Sequence, residues 1–521
     1  MSATMNRKEQ WDRLEGTVGQ VDLLIIGGGA TGLGAAVDAA KRGLSVVLVE
    51  RDDFAAGTSS RSTKLVHGGV RYLRQGQVSL VRDSLRERGR LLNNAPGLVH
   101  KLRFVIPCKK YWEKPFYGMG MATYDLLAGQ FGWEHSTLLS RDETLRHLPG
   151  VSGDQMLGGV EYLDGQFNDA RLALALARTA ICEGAIVINH AEVMELKKVN
   201  GKVFGAVVRD RLIHGDGTTG ERTLEISARV VISAAGVFSD SVAKLANPGA
   251  EAMVTVAQGT HIVLDRSFFP GDCALMVPKT DDGRVLFMIP WLGHVLVGTT
   301  DTAVSKVAAE PVALEEEIAY LLDYSGRYLM KKPTKADIKS RFAGLRPLVK
   351  PLGKVKSTSS VSRDHQIFVD DTGLITIVGG KWTTYRQMSE DVINRAEIVG
   401  DFVKKACQTK DMRIEEGADA QGYDRQAELQ SGQIVAELPL TELMVRRMAR
   451  EEMAETVADV LARRERALFV DADAAVAASG RVSQIMAEEK GWSAPVMERQ
   501  KSDFQRLALG YRAEAGQLSI Y

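Results

Sequence analysis

Apolar and polar positions fall into short blocks along most of the chain, and the blocks change period. Val21-Asp-Leu-Leu-Ile-Ile26 is an apolar run bounded by glycines, the pattern of a parallel strand buried on both faces. Gly27-Gly-Gly-Ala-Thr-Gly-Leu-Gly34 follows, then Ala35 to Arg42 with helical composition and Gly43 as a stop. Ser45-Val-Val-Leu-Val49 predicts a second strand with Glu50 at its tip, which completes a βαβ unit in about 30 residues. From Asp52 to Gly69 the chain is rich in Ser, Thr and Gly and reads as an ordered loop; Val70 to Leu92 is charged and helix-like. Asn168-Asp169 is placed to cap a helix running to Cys182.

Strand patterns then dominate: Ala185–His190, Val193–Val199, Val203–Arg209 and Val230–Ala234, with Asn200-Gly201 as a hairpin turn. A second strand-rich stretch spans about His261 to Thr300. Leu314 to Met330 predicts a helix, and Leu374–Val378 another apolar strand ending in Gly379-Gly380-Lys381. After about residue 400 strand signals vanish and charged helical sequence takes over, as in MVRRMAREEMAETVADVLARRERAL. The expected fold class is α/β: a Rossmann-like dinucleotide-binding domain, an interleaved antiparallel-sheet substrate (cap) domain and an all-α C-terminal domain. The expected boundaries are 18–400 for the α/β region and 401–521 for the helical part. Within the former, 18–100, 160–245 and 350–400 form the discontinuous nucleotide domain, and 101–159 with 246–349 the substrate domain.

The glycine pattern is informative because it follows a strand, opens a helix and has an acidic residue on the next strand tip. Gly27 permits the tight turn, Gly29 lets backbone approach a pyrophosphate, and Gly32 lets helix and strand pack closely. The helix N-terminus offers free N–H groups to phosphates, and Glu50 is placed for a ribose diol. This fingerprint serves NAD and FAD alike. Two later strands that return to the same place, Val231-Ile-Ser-Ala-Ala-Gly236 and Ile375-Thr-Ile-Val-Gly-Gly-Lys381, favour a long enclosed flavin.

Composition narrows the class. The 521 residues carry 66 Lys+Arg against 66 Asp+Glu, so no overall field attracts nucleic acid and any anion site is local. Cys108, Cys182, Cys273 and Cys407 are far apart, without a C-x-x-C, which predicts four buried reduced thiols and no metal site. The polar N-terminus lacks a signal-peptide core, and no run of about 18 apolar residues predicts a spanning helix. Met119, Met121 and Met276 read as packing residues, and Arg82, Arg86, Arg88 and Arg90 as a solvated helix face offset by Asp83 and Glu87.

The ordered set GGGATGLGAAVDAAKRGLSVVLVE, GTSSRSTKLVHGGVRYL, QGTHIVLD, VGTTDT, GLRPL, SRDH and VGGKWTTYR resembles the FAD-dependent, respiratory glycerol-3-phosphate dehydrogenases over nearly the whole chain. REEMAETVADVLARR is similar to that family's helical domain. The resemblance implies FAD held by Gly27, Gly28, Gly29, Ala30, Thr31, Gly32, Glu50, Thr58, Ser59, Ser60, Gly68, Gly236, Gly380 and Lys381. It implies that Arg71, Tyr72, Thr299, Arg346 and Arg363 surround glycerol 3-phosphate, and that His67, His261 and Lys381 lie near the flavin's reactive ring. Clustered cations and hydroxyls suit a compact phosphate, because charge-assisted hydrogen bonds are the strong ones. Arginine stays protonated and histidine titrates near neutrality, so histidine is the natural candidate for the base, and the sequence leaves His67 and His261 both open. The remaining seven histidines read as ordinary.

The resemblance further implies electron transfer to a membrane quinone from a cytoplasmic protein attached peripherally to the inner (cytoplasmic) membrane. Ile106 to Met121 mixes Lys with Trp, Tyr and Phe as interfacial segments do. Long amphipathic C-terminal helices need a partner surface, which makes a homodimer an option. Two other readings stay open: an oxidase on the same fold that passes electrons to oxygen, and a catalytically inactive flavin-fold interaction protein.

Overall fold

The computed structural model describes residues 5–17, 19–74, 76–212, 222–350, 364–420, 424–430 and 432–513, with the backbone alone at Arg71 and Arg74. One sheet has a parallel centre in the order Ile375–Gly379, Thr223–Ser233, Val21–Ile26, Val46–Val49, Ile186–Ile188. Its central strands are buried on both faces, which is why they read as continuous apolar runs. Helices Ala30–Lys41, Asp169–Cys182 and Tyr385–Val399 pack together over one face. The Asn168 side chain accepts from the Arg171 amide and starts the second of these where the sequence placed its cap. Strands Ala191–Val199 and Lys202–Asp210 form the expected hairpin, and Asn200 and Gly201 both take the positive φ that a two-residue turn needs.

The second sheet has ten strands, mostly antiparallel, drawn from segments interleaved with the first. Val254–Asp265 pairs with Ile338–Val349 along its length and with His294–Gly298 on its other side. Val99–Cys108 pairs with Gly158–Phe167. Leu65–Val66 carries the Ser/Thr/Gly-rich loop into this sheet beside Gly165 and Gln166, so the loop joins both sheets.

The C-terminal helices Glu442–Glu451, Ala472–Lys490 and Ala494–Ala508 share one apolar core with the second sheet. Phe469 lies 4.9 Å from Phe342. Much of their apolar surface is therefore covered within the chain. Charge reinforces the junction. Arg171 makes a two-point contact with Glu452 at 2.6 and 3.0 Å. Arg464 pairs with Asp53, Arg466 donates to the Ser60 carbonyl at 2.5 Å, and Lys64 meets Asp169 at 2.6 Å, all fully buried.

These partners correct several expectations. The stretch of charged helical sequence is broken into pieces: a first helix ends at Glu451, the chain turns at Met453 (φ +49°), winds again over Asp459–Arg464 and turns at Arg466 (φ +63°). It breaks because Arg464 and Arg466 point inward to buried acceptors. The predicted helix Val70–Leu92 is two helices, Val70–Arg74 and Val78–Asn94, separated at Gly76 with φ +75°. Arg82 and Arg86 are exposed as expected, but Arg88 is buried against Asp164 at 2.9 Å and under the Trp133 ring. Cys182 is exposed and Cys273 and Cys407 are half-buried, so only Cys108 is a buried thiol. Met121 and Met276 pack in the core, whereas Met119 is 69% exposed. Among the described residues no helix is long and apolar enough to cross a membrane.

Removing one partner of a buried pair strands the other charge. Asp53→Ala leaves Arg464 without its carboxylate and should cost about 3–5 kcal/mol. A lowered urea midpoint checks this; an unchanged midpoint would remove the pair from the forces that hold the C-terminal part in place.

Candidate active site

The Gly-rich turn is built by close approach. Gly27 has φ +113°, and a Cβ there would lie 2.6 Å from the Ala234 carbonyl oxygen. A Cβ on Gly32 would fall 1.9 Å from the Gly27 carbonyl oxygen, so only glycine lets the helix sit this near its strand. Helix Ala30–Lys41 starts at Gly29 without a side-chain cap of its own. Ser59 Oγ, from the loop, accepts from the Ala30 amide at 3.0 Å. Glu50 accepts from the Gly28 amide at 2.6 Å and the Asp52 amide at 2.8 Å, so it braces the turn as well as facing the cavity. Burial, with Asp52 nearby, raises its pKa.

A cavity of about 790 Å³ runs from this turn to the second sheet. On its wall lie Gly27, Gly29, Ala30, Thr31, Glu50, Thr58, Ser59, Gly236, Gly380 and Lys381. Gly28 and Gly32 pack behind the turn. Ser60 and Gly68 are also off the wall: Ser60 gives its carbonyl to Lys64 and Arg466, and the Gly68 amide donates to the Tyr124 hydroxyl. A glycine-rich helix start, an acidic group at the next strand tip and a long enclosed space are what a dinucleotide requires.

The same cavity gathers His67, Tyr72, His261, Thr299 and Arg346. The Arg71 side chain and all of Arg363 lie outside the described residues. Arg346 stands opposite Ala257 across the strand pair. Its Nη2 donates to Thr299 Oγ1 at 3.1 Å and to the Thr300 carbonyl at 3.0 Å, and its Nη1 lies 3.4 Å from Asp301. His261 is buried and stacked on Phe342 at 4.9 Å. Its Nε2 meets Thr63 Oγ1 at 2.9 Å, and its Nδ1 has no hydrogen-bond partner. Burial drives its pKa well below the usual value, and Lys64 and Arg346 push the same way. Burial also lowers His67 to about 4, Asp164 opposing and Lys381 and Arg88 adding to the shift. Both rings are therefore neutral near pH 7, the form that accepts a proton. Lys381 Nζ donates to Ser84 Oγ at 2.7 Å and lies 4.8 Å over the Tyr72 ring.

Some wall residues escaped the sequence reading. His190, taken as ordinary, lies on the wall with Nε2 2.9 Å from Asp459. Thr456, Asp459 and Arg463 arrive from the C-terminal part. An arginine pair closing the apolar run VADVLA was the one available signal for them. Phe104, Tyr162, Met276 and Phe287 make an apolar wall, with Phe104 and Tyr162 stacked at 5.1 Å and Phe287 edge-on to Phe104. They come from separate strands, so no local pattern marks them.

Comparison with known proteins agrees with this layout. Residues 22–386 match the FAD dependent oxidoreductase family, and residues 371–496 match the C-terminal domain of alpha-glycerophosphate oxidase. The chain is 39% identical to the mitochondrial glycerol-3-phosphate dehydrogenase of Arabidopsis thaliana, over 93% of this chain and 85% of that protein. It is 36% identical to the human mitochondrial glycerol-3-phosphate dehydrogenase, over 99% and 77%. Among solved structures, the glycerol-3-phosphate dehydrogenase from Bacillus halodurans complexed with FAD aligns over 99% of both chains, with a TM-score of 0.76 and 29% identity. The L-alpha-glycerophosphate oxidase from Mycoplasma pneumoniae shares the fold over 76% of this chain and 98% of its own, with a TM-score of 0.56 and 20% identity.

A Cβ at Gly259 would lie 2.2 Å from Arg346 Nη2 and 2.7 Å from Thr299 Oγ1. Gly259→Ala should push the guanidinium aside and weaken binding of a small phosphate monoester at least tenfold, about 1.4 kcal/mol. Thermal-shift titration with glycerol 3-phosphate measures this, and wild-type affinity would place the phosphate away from Arg346.

Proposed function

The chain belongs to the FAD-dependent glycerol-3-phosphate dehydrogenase family, and from that premise we propose that it oxidises sn-glycerol 3-phosphate to dihydroxyacetone phosphate and hands the electrons to a membrane quinone. The observation that carries this reading is the meeting, in one cavity, of a glycine-rich helix start, an Arg346–Thr299 clamp, two neutral histidines and Lys381.

FAD, when bound, takes the hydride from C2 of the substrate. Gly29 and Thr31 would hold its phosphates through backbone N–H groups and Ser59 through its hydroxyl, with Gly27 and Ala30 shaping the turn around them, and Glu50 would take the ribose. Arg346 and Thr299 hold the substrate phosphate, and Tyr72 closes the space beside them. Arg71 and Arg363 join this set on the resemblance alone. His261 or His67 accepts the C2 hydroxyl proton. Thr63 Oγ1 holds the His261 ring at Nε2, and both histidine rings are neutral and line the cavity. Lys381 would place a positive charge beside the bound cofactor.

Two features support a quinone in a membrane. The apolar wall of Phe104, Tyr162, Met276 and Phe287 offers a flat acceptor an apolar surface in the same cavity. Helix Glu113–Ala128 turns Met121, Tyr124 and Ala128 inward but leaves Trp112, Phe116, Met119 and Leu126 exposed, with Tyr111 89% and Leu126 80% accessible. Lys109, Lys110 and Lys114 flank this patch, the composition of a surface that beds in lipid headgroups.

Anaerobic addition of glycerol 3-phosphate should bleach the flavin, and a soluble quinone should restore its colour faster than oxygen does. Arg346→Ala should lower kcat/KM by about 1.5–3 kcal/mol, the loss of one charge-assisted bond. A flavin that stays oxidised, or unchanged kinetics in the variant, sinks the substrate assignment. Stoichiometric peroxide during turnover would instead make the protein an oxidase.

Liposome flotation tests the patch. Wild type should float with anionic vesicles, and Trp112→Ser combined with Phe116→Ser and Leu126→Ser should stay at the bottom of the gradient. Equal flotation would take this helix out of any membrane contact.

A further inference from the structure

The C-terminal part reaches the cavity through one short turn. The Asp459 amide donates to Thr456 Oγ1 at 3.1 Å, and the Thr456 amide donates to Asp459 Oδ2 at 3.0 Å, a reciprocal cap that fixes the turn. The same carboxylate oxygen meets His190 Nε2 at 2.9 Å. His190 is itself fixed at the acidic strand tip: its amide donates to the Asp52 carbonyl, and the next amide, Ala191, to the Glu50 carbonyl, both at 2.7 Å. One histidine therefore ties the turn to the residues that mark the ribose position.

Arg463 ends the turn on the cavity wall. It is only 9% exposed, its Nη1 donates to the Ala458 carbonyl at 3.2 Å, and its Nε, 3.6 Å from Asp53, has no hydrogen-bond partner. Its neighbours Arg464 and Arg466 turn away, to Asp53 and the Glu452 and Met453 carbonyls in one case and to the Ala462 and Ser60 carbonyls in the other. Among the described residues Arg463 is the one cation that the C-terminal part places on this wall.

We propose that the turn Thr456–Arg463 is part of the cofactor site: Arg463 offers its guanidinium to the adenosine diphosphate half of FAD, and the Asp459–His190 pair holds the turn against it. The helical C-terminal part then governs how firmly the cofactor is kept and leaves the hydride chemistry to the α/β part. This rests on the reading that the cavity holds FAD.

The test uses the full chain carrying Arg463→Ala or Asp459→Asn, with Arg481→Ala as a control in an exposed pair with Glu442. FAD affinity is read by recovery of quenched flavin fluorescence, and melting temperature with and without FAD. Arg463→Ala and Asp459→Asn should each release FAD at least tenfold more readily and show a smaller FAD-induced rise in melting temperature, while Arg481→Ala matches wild type. FAD affinity within twofold of wild type in both variants overturns the proposal, as does an equal loss of melting temperature with and without FAD, which marks a purely structural role. If Arg463→Ala does not fold, Arg463→Lys and Arg463→Gln carry the same comparison, Lys retaining FAD better than Gln. A wild-type protein that FAD does not stabilise would instead overturn the cofactor reading itself.

Discussion

Buried charge, matched pair by pair, is the constraint on which the molecule depends. Asp53, Asp169 and Glu452 sit where water does not reach, and each would be costly to ionise alone. Arg464, Lys64 and Arg171 answer them, and Arg466 sits 3.8 Å from Asp169. Because these partners come from the dinucleotide loop, the helix Asp169–Cys182 and the C-terminal part, the pairs can form only when all three are in place. Apolar packing around Phe342 and Phe469 supplies attraction without much direction; the ion pairs supply the register.

The cavity inherits this arrangement. Its dinucleotide end has backbone N–H, small side chains and the Glu50 carboxylate at the strand tip; its substrate end has the Arg346 guanidinium with two histidines desolvated into neutrality. Burial, with Arg346 and Lys64 adding to it, keeps the His261 ring unprotonated at neutral pH and ready to take a proton, while Arg346 on the same wall attracts a phosphate. One electrostatic arrangement therefore serves both binding and proton removal.

How much of this was legible in the sequence depended on range. Asn168 caps a helix and Asn200-Gly201 turns a hairpin through contacts with their immediate neighbours, so both could be read off directly. The glycine turn was legible for the same reason, and its strand, helix and acidic tip all lie within one βαβ unit. Arg464 and Arg466 lie in a stretch that reads only as charged helical sequence, because their acceptors, Asp53 and Ser60, are distant in sequence. His190 looked ordinary because Asp459 lies in another part of the chain. The apolar wall could not be read at all, since Phe104, Tyr162, Met276 and Phe287 converge only through sheet register. The break at Gly76 had a signal, a glycine inside a helical pattern, that the periodicity outweighed.

The two-residue strand Leu65–Val66 has a consequence for how molecules enter and leave. Its loop supplies Thr58 and Ser59 to one sheet's ligand wall, pairs with Gly158–Phe167 in the other sheet, and is clamped at Ser60 by Arg466. Swinging the two sheets apart as rigid bodies would tear that pairing and expose a buried cation. That pairing and that buried cation therefore oppose hinge opening of the kind that closes many two-domain proteins around a ligand. Rotation of wall side chains and displacement of short loops, motions of nanoseconds to microseconds, leave the same frame standing.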